Sequence, residues 1–310
     1  MIATITLNPS IDQHIIVRHL LKDDANRALS VVSHPGGKGA NVSKVVRELG
    51  GSTHAYALEA GFIGKFWAHE LSKLGITFTS HRVEGETRIN TVLTDAKDGT
   101  QTRISALGPV IAQKDQDIFL RKLLHARPRP FCWVLGGSPS QGMTHDIYKK
   151  YVLALQKTGT PCILDADNEA LRHGVEAKPF MIKPNEYEMQ RLVDKKLTTV
   201  EDYCAAAMNF VRKGIRVVAV SLGGNGALFV SKEGAFHVLG IPVSVKSKVG
   251  AGDSLLGGFA LGIFRKMSFE KAASLGTAAS TSAVMREAPR LCRRSDIPAL
   301  LKKIRIRRLY

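Results

Sequence analysis

The chain has 310 residues, 44% hydrophobic and 23% charged, with a formal net charge of +17 at pH 7. That composition fits a globular α/β protein with a full core, read here as one domain over residues 1–310. The chain contains no apolar run of about 18 residues, no CxxC among its four cysteines and no basic segment ahead of an apolar block in MIATITLNPS, so membrane span, zinc site, disulfide framework and signal peptide are not expected and a cytoplasmic location is.

IATITL (residues 2–7) is a β-rich run that ends in the turn chemistry of Asn8-Pro9-Ser10. Residues 12–34 alternate like antiparallel strands. NVSKVVRELG (41–50) has helical spacing at Val42, Val45, Val46 and Leu49 and closes on glycine. Residues 81–108 alternate again, and TRINTVLTD, KDG and TQTRISA read as a hairpin with an Asp-Gly turn. These two alternating regions are assigned to a small β-sheet lid.

The compact apolar runs FCWVLGG (131–137), PCILDAD (161–167), PFMIKPN (179–185) and VVAVSLGG (217–224) follow. Helix-length segments such as 144–158 and 200–213 separate them. Buried strands alternating with helices predict a mostly parallel sheet covered on both faces, a three-layer α/β/α sandwich. Ligands bind such sheets beyond the carboxyl ends of the strands, where the polar and glycine-rich residues of this chain collect. The basic end LLKKIRIRRLY (300–310) reads as the solvated face of a last helix and a frayed tail. No basic motif interleaved with aromatics occurs, so no specific nucleic-acid partner is expected.

Four polar or glycine-rich segments carry chemistry. In PGGKGANVSK (35–44), glycines allow close backbone approach ahead of a helix whose first amides suit an anion or a sugar hydroxyl. In VKSKVGAGDSLLGGFALG (245–262), Asp253 or Ser254 would either cap a helix or, in the case of Asp253, accept a proton beside an anion hole of backbone amides. In KPNEYEM (183–189), Asn185 and Glu188 stand three apart, as a capping pair or as oxygen donors that suit Mg²⁺. SLGGNGA (221–227) is a further strand-to-turn glycine cluster.

Taken in order, Asn-Pro-Ser-Ile-Asp, GGKGAN, KPNxxE, SLGxxGA and GAGDS resemble the ribokinase-like PfkB family of sugar kinases over almost the whole chain, and its hexose-phosphate branch within it. TRIN (87–90) resembles the 1-phosphofructokinase form, whereas APRLC (288–292) resembles the minor 6-phosphofructokinase form. The resemblance implies ATP-dependent phosphorylation of a fructose phosphate to a bisphosphate, with 6-phosphofructokinase or tagatose-6-phosphate kinase activity as the alternative. A nucleoside or unphosphorylated-sugar kinase and a non-catalytic sugar-phosphate-binding regulator rank below these.

The resemblance also implies roles. Asp253 would be the catalytic base, with Gly250, Ala251 and Gly252 as the anion hole. Asp12, Gly37, Lys38, Asn41 and Ser138 would hold the sugar, and Arg88, Asn90 and Arg27 its phosphate. Lys183, Asn185, Ser221, Gly223 and Gly226 would line the ATP site, with Glu188 placing Mg²⁺ through water. Family members carry Asp-Thr or Ser-Thr near a monovalent cation just before GAGD, but this chain has Ser247-Lys248-Val249, and Arg286 and Ala288 also depart from the pattern. A lysine there would repel or replace K⁺, which argues against potassium activation. A homodimer through the exposed lid edge is expected.

Overall fold

The computed structural model describes residues 1–310. It begins with β1 (Ile2–Thr6), β2 (Ser10–Val17), β3 (Ala28–Gly36), α1 (Lys38–Glu48), β4 (Thr53–Ala60), α2 (Gly61–Lys73) and β5 (Thr77–Val83). It continues with β6 (Arg88–Asp95), β7 (Gln101–Ile104), α3 (Gln113–Leu124), β8 (Cys132–Gly136), α4 (Ile147–Gln156) and β9 (Cys162–Asp165). Then come α5 (Asn168–Glu176), β10 (Met181–Ile182), α6 (Glu186–Val193), α7 (Val200–Arg212), β11 (Val217–Ser221), β12 (Gly226–Ser231) and β13 (Gly234–Leu239). The chain closes with α8 (Ala251–Phe264), α9 (Phe269–Val284), α10 (Ile297–Leu301) and β14 (Ile306–Arg308).

Strands buried on both faces need apolar side chains on both, and the compact runs supply them. In β8, Trp133 and Leu135 enter one core while Cys132 and Val134 enter the other. The first core lies under α3 to α7 and the second under α1, α8, α9 and α10. The main sheet has ten strands in the order β14-β13-β12-β11-β10-β9-β8-β1-β4-β5. From β11 to β5 neighbouring strands are parallel, and β12, β13 and β14 add on antiparallel. This is the expected three-layer sandwich.

A separate four-stranded sheet, β3-β2-β6-β7, forms the lid. Two expectations about it are corrected. Residues 81–83 are not lid: they end β5, which pairs parallel to β4 at the edge of the main sheet, so the lid strands span residues 10–36 and 88–104. Its central pair, β2 and β6, is also parallel rather than antiparallel, because the chain crosses the main sheet between them. The hairpin of β6 and β7 is as read, with Gly99 at φ 75° in its turn. The C-terminal reading changes too. After the short α10 the basic residues form β14, which pairs with β13 and puts arginines on the sheet edge. Charge on an edge strand blocks pairing with another chain.

The glycines inside α8 have a packing reason. A Cβ on Gly257 would lie 2.6 Å from Val45 Cγ1 of α1, and one on Gly258 would lie 2.9 Å from Gly276 Cα of α9. Without side chains at these two positions α8 lies tightly between its neighbours, with its first turn at the carboxyl end of the sheet.

Candidate active site

GGKGAN seats the start of α1 against the end of β1. Thr6 Oγ1 accepts a hydrogen bond from the Ala40 amide at 3.0 Å. Gly37 has φ 105°, and a Cβ there would lie 2.5 Å from Thr6 Cγ2. A side chain is therefore excluded both by conformation and by space. Gly37 is also the N-cap of α1 and offers no side-chain cap, which leaves the helix start open to a ligand.

Asp253 lies in the first turn of α8. The helix begins at Gly250, which is in the left-handed region with φ 75°, and no side chain caps it. This removes the capping role for Asp253 or Ser254: both lie inside the helix, buried. The Asp253 carboxylate instead receives a hydrogen bond from Asn41 Nδ2 of α1 at 2.8 Å. Burial, followed by the charge of Asp165, pushes its carboxyl above the usual carboxylate range, against the pull of Lys38, Asn41 and Lys183. A desolvated carboxylate with a raised affinity for a proton, next to uncapped backbone amides, is the pairing that general-base chemistry on a hydroxyl needs.

Asp165, at the end of β9, belongs to none of the glycine-rich motifs, and no sequence signal marks it. Lys38 Nζ donates to its Oδ1 at 2.8 Å, and Lys183 Nζ sits 3.3 Å from its Oδ2, an ion pair without hydrogen-bond alignment. Burial opposes its charge, but the two lysines more than offset this and hold the carboxyl below its ordinary range. Burial also opposes the Lys38 charge, yet Asp165, Asp253 and Glu188 hold its ammonium above the usual lysine range. A Cβ on Gly252 would lie 3.1 Å from Lys183 Nζ, so this lysine reaches the α8 N-terminus. Two carboxylates with opposed shifts thus share one cluster with two cations. Asp165 is held toward the charged form, and Asp253 is the more basic of the two.

Beyond β10, Asn185 and Glu188 form a capping box. Glu188 N donates to Asn185 Oδ1 at 2.9 Å, and Asn185 N donates to Glu188 Oε2 at 2.8 Å. The capping alternative is therefore present, and it still leaves Glu188 Oε1 without a partner in the chain. Glu188 is largely buried and close enough to Lys38 for their charges to interact. An oxygen donor so placed fits Mg²⁺ held through water. Asn185 bridges in parallel to Ser221, which brings the two segments together. Gly223 turns back at φ 54° toward Glu186, and a Cβ on Gly226 would strike Val238 O at 2.1 Å. Asn185, Ser221, Gly223 and Gly226 thus line one shelf beside Lys183.

The lid supplies the opposite wall. Asp12 accepts from Ser10 Oγ at 2.7 Å and from Asn90 Nδ2 at 3.0 Å, and it lies against Gly36. Arg88 donates to Asn8 O and Ala106 O, both at 3.1 Å, while its buried Nε has no partner. Ser138 is exposed on the loop after β8, next to Gly137, which faces the Lys38 stem. Arg27 is not brought in. It precedes Ala28, at the far end of β3 from Gly36, about 30 Å along the strand at the usual rise per residue. Lys248 is exposed to solvent and no hydrogen bond holds it, whereas Arg286 is paired with Asp296.

A doubly covered parallel sheet, a lid over its carboxyl end and a buried carboxylate at an open helix N-terminus define a small-molecule phosphotransferase. The chain belongs to the pfkB family of carbohydrate kinases, whose model matches residues 5–295. It is 31% identical to the 1-phosphofructokinase of Bacillus subtilis (strain 168), with all of both chains covered. It is 32% identical to that of Escherichia coli (strain K12), over 98% of this chain and 97% of the relative. Among solved structures, phosphofructokinase-2 from Escherichia coli in complex with potassium superposes with a TM-score of 0.93 at 30% identity, covering 97% of this chain and 98% of that one. The fold is ribokinase-like, and no helix is long and apolar enough to cross a membrane.

Proposed function

We propose that this chain transfers the γ-phosphoryl group of ATP to a fructose phosphate, giving a bisphosphate, with fructose 1-phosphate as the substrate. The observation that carries this reading is the buried Asp253 carboxylate, held by Asn41 at the uncapped start of α8. Asp253 takes the proton of the sugar hydroxyl as its oxygen attacks the γ-phosphorus in line and the bond to the ADP oxygen breaks. The amides of Gly250, Ala251 and Gly252 face the charge that develops on the phosphoryl oxygens. Lys38 and Lys183, ordered by Asp165, add fixed positive charge there. Mg²⁺, held through water by Glu188, would supply further neutralisation of the nucleotide phosphates. Asp12, Gly37, Lys38, Asn41 and Ser138 hold the sugar, and Arg88 with Asn90 binds the phosphate it already carries. The unpartnered Arg88 Nε supports that role. Within one chain Arg27 is too distant to join them.

The names of the curated relatives and the TRIN segment support fructose 1-phosphate. APRLC and the likeness to phosphofructokinase-2 support fructose 6-phosphate as the second reading. Exposed Val31, Ile89 and Ile104 occupy one face of the lid, which supports a lid-to-lid homodimer. Four free, buried cysteines agree with a cytoplasmic location. The departures from the cation pattern at Lys248, Arg286 and Ala288 argue against potassium activation in this reading. The test is ADP release with fructose 1-phosphate, fructose 6-phosphate and tagatose 6-phosphate in parallel, with and without K⁺. Highest kcat/KM on fructose 1-phosphate, independent of K⁺, is expected; no ADP release with any of the three would end the proposal.

A further inference from the structure

One helical turn past Asn41, the outer face of α1 borders a cavity of about 490 Å³. Its walls include His34 of β3, Lys44, Arg47 and Glu48 of α1, and Arg290 and Leu291 of the loop after α9. None of Lys44, Arg47 and Arg290 has a carboxylate within ion-pair distance. The Lys44 ammonium donates only to Pro35 O, at 2.7 Å. Glu48, the one acid in the wall, accepts from the Arg294 amide. Burial pushes Lys44 down to about 8, although Asp12 and Asp253 pull the other way. A partly buried lysine with no ion-pair partner, sharing one cavity with the exposed and equally unpaired Arg47 and Arg290, is an arrangement that an anion completes. The volume is in the range of sites for small metabolites.

We propose that this cavity binds a small phosphate-bearing metabolite, separate from the reacting sugar, and that its occupancy changes turnover. Two contacts connect it to the reaction centre. Asn41, which holds Asp253, is on the same helix one turn before Lys44. Leu291 leans on the anion hole: a Cβ on Gly250 would lie 2.2 Å from Leu291 Cδ2. A ligand that draws Arg290 inward moves the neighbour of that leucine. The effect on turnover rests on the kinase reading above; the binding does not.

The test uses inorganic phosphate as the probe on the full-length chain. Calorimetric titration is made with fructose 1-phosphate and a non-hydrolysable ATP analogue present, comparing the wild type with Arg47→Gln/Arg290→Gln. Wild type is expected to bind phosphate, and the double variant to bind it at least tenfold more weakly, since charge-assisted contacts of this kind are removed. Arg290→Gln alone, which loses no side-chain hydrogen bond, should weaken binding in the same direction and guards against a folding defect. Turnover without phosphate should be equal in all three, and phosphate should change it only in the wild type. No binding by the wild type, or equal binding by the variants, overturns the site. Phosphate binding that leaves wild-type turnover unchanged overturns the coupling. If no hexose phosphate is turned over, the kinase reading fails while the comparison of binding still reports on the cavity.

Discussion

Asn41 Nδ2 donates to Asp253 Oδ2 at 2.8 Å across 212 residues of sequence, and this bond joins the two glycine-rich helix starts into one site. It also fixes the carboxylate in a buried place where ionisation is unfavourable.

That placement has a consequence for stability. Because the folded-state pKa of Asp253 is raised, its contribution is favourable at low pH and is lost as pH rises through that value. At neutral pH the charged form is therefore a burden on the fold. Asp253→Asn, which keeps the bond from Asn41, should melt at a higher temperature than wild type at pH 7.5. The gap should narrow as pH falls through the raised pKa; thermal unfolding at several pH values measures it.

Asp165 compensates two lysines, one of them nearly fully buried. Asp165→Asn leaves Lys183 charged in a closed site and should destabilise the chain by about 3 kcal/mol or more, as for other broken buried pairs. The KM for ATP should rise together with that loss. Denaturant unfolding and initial rates check both; an unchanged midpoint would show that the lysines find other partners.

Arg88 is held in position by the carbonyls of Asn8 and Ala106, with its Nε left over. Arg88→Ala should raise the KM for the phosphorylated sugar by about 10-fold or more, the size of a charge-assisted hydrogen bond, and leave the KM for ATP within a few-fold. Equal rises in both would remove Arg88 from the substrate phosphate.

Val31 is about half exposed on a lid face that it shares with Ile89 and Ile104. Val31→Lys should turn a dimer into a monomer in sedimentation analysis without lowering the melting temperature of the monomer. An unchanged sedimentation coefficient would place the interface elsewhere.

Much of this architecture is legible in the sequence because its signals are local. The two-sided strand Cys132–Gly136 reads as a compact apolar run, and GGKGAN and GAGD announce helix starts where glycine is required by φ and by space. Pairings between distant segments are less legible. Asp165 ends an ordinary apolar strand; its role exists only because Lys38, 127 residues away, and Lys183 converge on it. The parallel pairing of β2 with β6 follows from a crossover through the main sheet that alternation of side chains does not encode. The basic tail forms a strand because β13 offers it a free edge, which charge counting does not reveal. On local sequence a helix cap at Asp253 fits nearly as well as a catalytic role; the structure decides against it, because Gly250 in the αL region is the N-cap and no side chain caps α8.

The most direct measurement is ADP release by wild type and Asp253→Asn at saturating ATP and fructose 1-phosphate, with both dissociation constants determined alongside. Wild type should turn over, and the variant should lose about 10²–10⁴-fold in kcat while binding both ligands within a few-fold of wild type. A variant that keeps more than about a tenth of wild-type kcat would contradict the general-base role of Asp253 and the account built on it.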